Sequence, residues 1–251
     1  MIAYITGATS GFGKAIALQL AKNNYNLVIT GRRKPLLESL AQEIVEKNNV
    51  EVLISHYDVR HAESVKDAVE NLPESWKKID VLVNNAGLAV GLSSIQDGDI
   101  DDWERMIDTN IKGLLYVSRH IAPLMIKNGA GHIINIGSVA GKEVYLNGNV
   151  YCATKHAVDA LTKAMRMDMV KHGIKVTQIS PGAAETEFSL VRFKGDRQTA
   201  DNVYKGFTPL VAQDIANVVE YVVNLPKHVC LNDIVMTCLA QANATIINKE
   251  L

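Results

Sequence analysis

Residues 2–22 read IAYITGATSGFGKAIALQLAK. The opening run Ile2–Thr6 is a strand signal, and Lys14–Lys22 recurs with the period of an amphipathic helix. Between them stand Gly7, Gly11 and Gly13, in the spacing TGxxxGxG rather than GxGxxG. A helix N-terminus presents free N–H groups and the positive end of the helix dipole. Glycines there remove Cβ atoms where backbone must approach a pyrophosphate and where helix must lie close to strand. Three glycines alone also fit a simple turn before a helix. The strand before and the helix after favour a dinucleotide cradle, with Thr9, Ser10 and Phe12 filling the turn.

The alternation continues along the chain. Strand-like runs are Leu27–Thr30, Val52–Ser55, Val81–Val83, His132–Ile136, Val176–Ile179 and Ile234–Met236. Helical patterns cover Pro35–Lys47, Ala62–Asn71, Ile111–Lys127, Val158–Lys171 and Ala212–Asn224. Strands rich in Val and Ile read as buried on both faces. Strand–helix–strand alternation with right-handed crossovers gives an α/β class and a single-domain, doubly wound parallel sheet, the Rossmann fold, with helices on both faces. The domain is expected to span residues 1–251, because no linker, low-complexity block or charge run divides it. Phe188–Phe207 breaks the alternation. It is polar, carries Gly195 and Gly206, and reads as a mobile flap or an inserted helical pair, about residues 186–210.

Composition excludes several classes. A net charge of -1 offers no basic field for nucleic acid or an anionic membrane. Cys152, Cys230 and Cys238 form no metal-binding spacing and read as reduced thiols of a cytoplasmic protein. The histidines show no ligand spacing, so no metal is expected. Asp97–Asp102 resembles the start of a calcium loop but has Asp102 where that loop needs glycine, so a helix N-terminus explains it better. The chain opens directly on a strand and a turn, so no leader is expected, and no apolar run approaches the length of a spanning helix.

The end of the second strand selects the dinucleotide. An acidic residue there would take the ribose hydroxyls of NAD. This chain has Arg32 and Arg33, which suit the 2′-phosphate of NADP through charge-assisted, bidentate hydrogen bonds. The competing reading is a pair of solvated arginines. Asp58 and Val59, after the third strand, suit an adenine: Asp58 accepts from its amino group while Val59 packs on the ring. A helix cap is the competing role for Asp58. Asn85, Ala86 and Gly87, after the fourth strand, offer small residues under a ribose.

Tyr151 and Lys155 stand four apart, one turn from each other on the same helix face, with Ser138 upstream. An ammonium there favours the phenolate, so the tyrosine works as acid or base nearer neutrality than a free pKa of ~10 allows. Cys152, a quarter-turn away, reads as packed rather than reactive.

Taken in order, TGATSGFG at 6–13, NNAG at 84–87, Asn110, Ser138, YCATK at 151–155 and PG at 181–182 resemble the short-chain dehydrogenase/reductase family over the whole chain. The resemblance implies a catalytic tetrad. Tyr151 is then the general acid or base, and Ser138 bonds the substrate oxygen. Lys155 holds the nicotinamide ribose and lowers the tyrosine pKa, while Asn110 anchors a proton-supplying water. It also sets the nicotinamide against Pro181, Gly182 and Ala184, with Thr186 near the phosphates. Ala183 and Ala184 stand where many relatives carry bulkier aliphatic residues.

ETEFSLVRFKGD, residues 185–196, resembles the subgroup of NADP-dependent 3-hydroxy acid dehydrogenases, which includes serine and allo-threonine dehydrogenases. That implies chemistry at the hydroxyl of a small acid such as serine, allo-threonine or 3-hydroxypropionate. Its carboxylate needs an anchor, for which Arg192 is the first candidate and Lys194, Asn147 and Asn149 are others. Arg192 fits equally a salt bridge holding the flap to the body. The alternatives are a broad carbonyl reductase or 3-oxoacyl carrier reductase and, more remotely, a non-catalytic dinucleotide sensor. Apolar positions on more than one face of Ile111–Lys127 and Val150–Lys171 suggest a homo-oligomer, a tetramer or dimer.

Overall fold

The apolar runs become one parallel sheet. In the computed structural model, which describes residues 1–250, strands and helices alternate. In chain order they are β1 (Ile2–Ile5), α1 (Gly11–Lys22), β2 (Asn26–Gly31), α2 (Lys34–Lys47), β3 (Val52–His56), α3 (Ala62–Glu70), β4 (Val81–Asn84), α4 (Ile100–Ile107), α5 (Leu114–Asn128), β5 (Gly131–Ile136), α6 (Asn149–Met169), β6 (Ile174–Pro181), β7 (Ala184–Glu185), α7 (Glu187–Arg192), α8 (Arg197–Asn202), β8 (Leu210–Val211), α9 (Ala212–Val223) and β9 (Asp233–Met236). The main sheet has seven strands in the order β3-β2-β1-β4-β5-β6-β9. Each pairing is parallel. Strand order reverses between β1 and β4, and a crevice opens there beyond the carboxyl ends of the strands.

Alternation along each strand feeds two cores. Ala3 and Ile5 of β1 join Ile16 and Leu20 of α1 and Val219 and Val222 of α9 on one face. Ile2 and Tyr4 join Val65 and Val69 of α3 and Ile121 and Met125 of α5 on the other. Successive side chains of a strand point to opposite faces, which is why a strand covered on both sides has no polar stripe.

Two departures from regular geometry serve the crevice. The helical pattern expected from Ile111 begins earlier: α4 runs on through a π-helical turn, Asp108–Gly113, into α5. Such turns loosen the regular ladder and are frequent at functional sites. The irregular polar stretch is an ordered helical pair, α7 and α8, joined through Lys194 at φ +52° and Gly195 at φ +93°. Its two ends are drawn together by the β7–β8 pair, Ala184 against Leu210 and Glu185 against Val211. Inside it, Tyr204 Oη donates to the Ala184 carbonyl at 2.7 Å and meets Ser189 Oγ at 2.7 Å.

Candidate active site

The glycine turn is built as a cradle. Gly7 adopts φ +66° and a Cβ there would stand 2.9 Å from Ala86 Cα, while a Cβ on Gly13 would overlap the Gly7 carbonyl. A Cβ on Gly11, at φ +52°, would find Thr186 nearest, at 3.5 Å. The cradle therefore closes against β4 on one side and stays open toward the cleft on the other. Ser10 is the residue before α1, yet its hydroxyl caps no helix N–H. It accepts instead from Arg33 Nη2 at 2.8 Å, which also donates to Thr9 Oγ1 at 2.9 Å. Arg33 Nη1 donates to the Glu187 carboxylate at 3.1 Å. Arg33 thus pairs with a carboxylate and has two hydroxyls beside it.

Arg32 stands 4.0 Å from Asp58. Asp58 accepts from the Arg60 backbone at 3.0 Å and from its guanidinium at 2.9 and 2.7 Å, so it caps no helix. Burial pushes its carboxyl up, but the Arg60 hydrogen bonds outweigh burial and hold it below the usual range. Asn85 is fixed by donating to the carbonyls of Thr6 and Gly7 at 2.8 and 3.1 Å. One cleft of about 530 Å³ joins these groups to Val59, Ala86, Gly87, Ser138, Tyr151, Lys155, Pro181, Gly182, Ala184 and Thr186. An extended dinucleotide fits this donor set: backbone cradle at the phosphates, two exposed guanidinium groups at one end, hydroxyl and amine at the other. Thr186 caps α7 through Phe188 N–H at 3.2 Å.

At the far end α6 delivers Tyr151 and Lys155, both 7% exposed. Lys155 Nζ donates to the Ile136 carbonyl at 2.9 Å and lies 6.0 Å from the centre of the Tyr151 ring. Burial alone lowers its pKa to about 8. The Tyr151 hydroxyl is pushed well up, first by burial and then by Tyr145; a Ser138 hydrogen bond and the Arg192 charge pull the other way. The expected softening of this phenol by Lys155 is therefore not the controlling effect in the protein alone. Desolvation dominates, and the cation that opposes it is Arg192. Ser138 Oγ accepts from Ala140 N–H at 3.1 Å and reaches the Pro181 carbonyl only at 3.5 Å, which leaves its proton free to turn. Asn110 lies in the π turn and is saturated through its side chain: Oδ1 accepts from Leu88 N–H, and Nδ2 donates to the Leu88 carbonyl and to Thr154 Oγ1.

Comparison with known proteins gives the family. The sequence profile of the short chain dehydrogenases matches residues 1–196. The chain belongs to that family. This dehydrogenase is 44% identical over 245 residues to the NADP-dependent 3-hydroxy acid dehydrogenase YdfG of Salmonella typhi, 97% of each chain being covered. It is also 44% identical over 232 residues to sulfoacetaldehyde reductase 2 of Chromohalobacter salexigens, covering 92% of this chain and 91% of that one. It is similar to the closed form of a serine dehydrogenase complexed with NADP+, with a TM-score of 0.93, 41% identity and 98% of both chains covered.

The dehydrogenase divides the candidate anchors and adds Tyr145 to them. Arg192 forms no salt bridge with a carboxylate among the described residues. It donates to Tyr145 Oη, its Nε is buried without a partner, and its guanidinium carbon lies 5.3, 5.2 and 5.8 Å from the ring centres of Tyr145, Tyr151 and Phe188. Tyr145 was absent from the sequence reading. The available signal was Gly148, where a Cβ would overlap the Tyr145 ring. Lys194 is not in the site: it pairs with Asp99 at 3.1 Å and buried Asp102 at 2.8 Å. Asn149 donates to the Ser93 carbonyl at 2.9 Å, and Asn147 takes a turn conformation at φ +63°. Asp99 caps α4 through Asp101 N–H, so the acidic run is a helix start. Cys152 is buried and unpaired.

Proposed function

We propose that the chain is an NADP-dependent oxidoreductase interconverting a hydroxyl and a carbonyl on a small 3-hydroxy acid such as serine, allo-threonine or 3-hydroxypropionate. Arg192 carries the reading. It is a half-buried guanidinium with no carboxylate partner among the described residues, lying against the ring of Tyr151. A charge out of water without a partner is costly, and a ligand's carboxylate removes that cost with two parallel hydrogen bonds. The names of two relatives support it, since a 3-hydroxy acid and sulfoacetaldehyde each join an anion to a hydroxyl or carbonyl by a short chain.

In this reading Tyr151 Oη gives its proton to the carbonyl oxygen in reduction and takes the hydroxyl proton in oxidation. Ser138 Oγ turns its free proton to the same oxygen and favours the developing charge. Lys155 holds the cofactor ribose, and the π turn at Asn110 anchors the water that resupplies protons. When bound, NADP+ accepts and NADPH donates the hydride. The glycine cradle from Gly7 to Gly13 takes the phosphates, Arg32 and Arg33 the 2′-phosphate, and Asp58, Val59 and Asn85–Gly87 the adenosine. The Pro181–Thr186 stretch takes the nicotinamide end.

We read residues 1–251 as one unit with a substrate flap at about 186–210. No helix among the described residues is long and apolar enough to cross a membrane, and the three cysteines are free, which supports a cytoplasmic setting. Exposed Leu115, Met167 and Val170 support a homo-oligomer, a dimer or tetramer. A broad reductase of neutral ketones gives Arg192 no anion to hold. The test follows NADP+ reduction with 3-hydroxy acids, the matching uncharged alcohols and the sulfonate isostere of 3-hydroxypropionate. Uncharged alcohols that turn over as efficiently as the acids would overturn the reading.

A further inference from the structure

The last segment of the chain enters the same cleft, from outside the stretch that the family profile covers. Resting on the NADP reading above, we propose that Gln241 is a positioning residue for the nicotinamide end of the cofactor: it fixes the peptide plane of the Gly182–Ala183 link that receives it.

Gln241 is 6% exposed and borders the cleft. Its Oε1 accepts from Ala183 N–H at 2.7 Å, and its Nε2 donates to the Asn243 carbonyl at 3.0 Å. Neighbouring backbone groups of the loop are held by ordinary chain partners. Gly182 N–H donates to the Met236 carbonyl at 2.8 Å, and the Ala183 carbonyl accepts from Leu210 N–H at 3.0 Å. For the Ala183 N–H the partner is a side chain. Because the peptide is planar and trans, holding that N–H aims the Gly182 carbonyl the opposite way. A Cβ on Gly182 would overlap Gln241 Oε1, so the missing Cβ and the amide belong to one arrangement.

Gln241 is itself anchored. The segment folds back, with Ala242 N–H donating to the Ile246 carbonyl at 3.0 Å and Asn248 N–H to the Ala240 carbonyl at 2.8 Å. Ala244 N–H donates to Glu143 Oε2 at 3.0 Å, tying the segment to the loop that follows Ser138. The loop around Ala183 is thus positioned from 58 residues downstream.

The experiment measures binding of NADP+ and of 2′,5′-ADP, its adenine-end fragment, to the full chain by calorimetry. Gln241→Met keeps length and loses the acceptor. It is expected to weaken NADP+ about tenfold while leaving 2′,5′-ADP within about twofold. Gln241→Glu keeps an oxygen facing Ala183 N–H but sets the other against the Asn243 carbonyl, so it is expected to bind NADP+ more tightly than the Met variant and less tightly than the parent. Gly182→Ala displaces the amide without altering it and should reproduce the Met pattern. Equal weakening of both ligands, or no weakening of either, would overturn the proposal. No substrate is used, so failure of the 3-hydroxy acid reading would show separately, in a parent that binds NADP+ but oxidises no acid.

Discussion

The guanidinium carbon of Arg192 lies 5.2 Å from the centre of the Tyr151 ring, nearer than Lys155 Nζ at 6.0 Å. The cation closest to the buried phenol therefore comes from the flap and not from the phenol's own helix. In the proposed reading it takes the substrate anion, which would hold the reacting oxygen at the far end of a short chain, beside Tyr151 and Ser138. Arg192→Leu is expected to raise KM for 3-hydroxypropionate by about a hundredfold. It should leave an uncharged secondary alcohol nearly unaffected. Arg192→Lys should restore little, because a lysine lacks the planar fork. Steady-state kinetics on the two substrates decide it. Equal losses on both would mean that Arg192 acts on the tyrosine alone.

Tyr151→Phe removes the hydroxyl proposed as the general acid and base. Turnover should fall by about a thousandfold or more. NADP+ affinity should stay close to that of the parent. The ring remains edge-on to Phe188, whose centroid is 5.6 Å away, so the packing is kept. Calorimetry and single-turnover assays on the same preparation separate the two effects, and retained turnover would remove Tyr151 from the reaction.

Much of this site is local and so was legible in the sequence. The glycine turn, Arg32 and Arg33, and the Tyr151–Lys155 pair each need only strand or helix geometry over a few residues. What was not legible depends on long-range choices. Lys194 and Arg192 lie two apart on one flap, yet one is engaged by Asp99 and Asp102 while the other is left without a carboxylate. Spacing carries no record of that division. Tyr145 turns into the cleft because Gly148 makes room, and Gln241 reaches Ala183 through a fold-back after β9. The acid–base balance at Tyr151 was likewise invisible, because burial, its largest cause, exists only once the chain is folded.

Arg33 holds Glu187 at 3.1 Å in the place proposed for the 2′-phosphate. Carboxylate and phosphate then compete for one guanidinium. Both side chains are about half exposed, so the pair itself stabilises little. Arg33→Ala should weaken NADPH far more than NADH. Glu187→Gln should tighten NADPH by a few-fold, on the order of 0.5–1 kcal/mol, with NADH unchanged. Fluorescence titrations with both dinucleotides check this, and equal shifts for the two would exclude a phosphate role.

His132 sits at 4% exposure in β5, with Nε2 2.7 Å from Thr177 Oγ1 and Nδ1 without a partner. Burial, reinforced by Lys175, lowers its pKa from 6.5 to about 3. The folded chain thus keeps it neutral while the unfolded chain takes up a proton below pH 6.5. Its contribution is complete above pH 6.5 and is lost as pH falls toward 3. His132→Gln should flatten the acid limb of the stability curve by about 1 kcal/mol per pH unit. Urea midpoints across that range test it; an unchanged slope would mean that other groups govern acid unfolding.

Lys155 should cost the protein stability at neutral pH. Burial lowers its pKa from 10.5 to about 8. Below pH 8 both folded and unfolded chains hold the proton, and the folded chain bears the whole penalty of a buried charge. Between 8 and 10.5 the folded lysine is already neutral while the unfolded one still binds its proton, so stability rises with pH; above 10.5 the penalty is gone. That penalty is on the order of 3 kcal/mol, against about 1 kcal/mol for the hydrogen bond from Nζ to the Ile136 carbonyl. The larger effect wins. Lys155→Met should therefore unfold at higher urea than the parent at pH 7, with the margin shrinking as pH climbs from 8 to 10.5, while its catalysis is lost. A variant that is both less stable at neutrality and insensitive to this pH range would show that Lys155 is held for the fold. The opposite result marks a residue whose burial is tolerated for the chemistry.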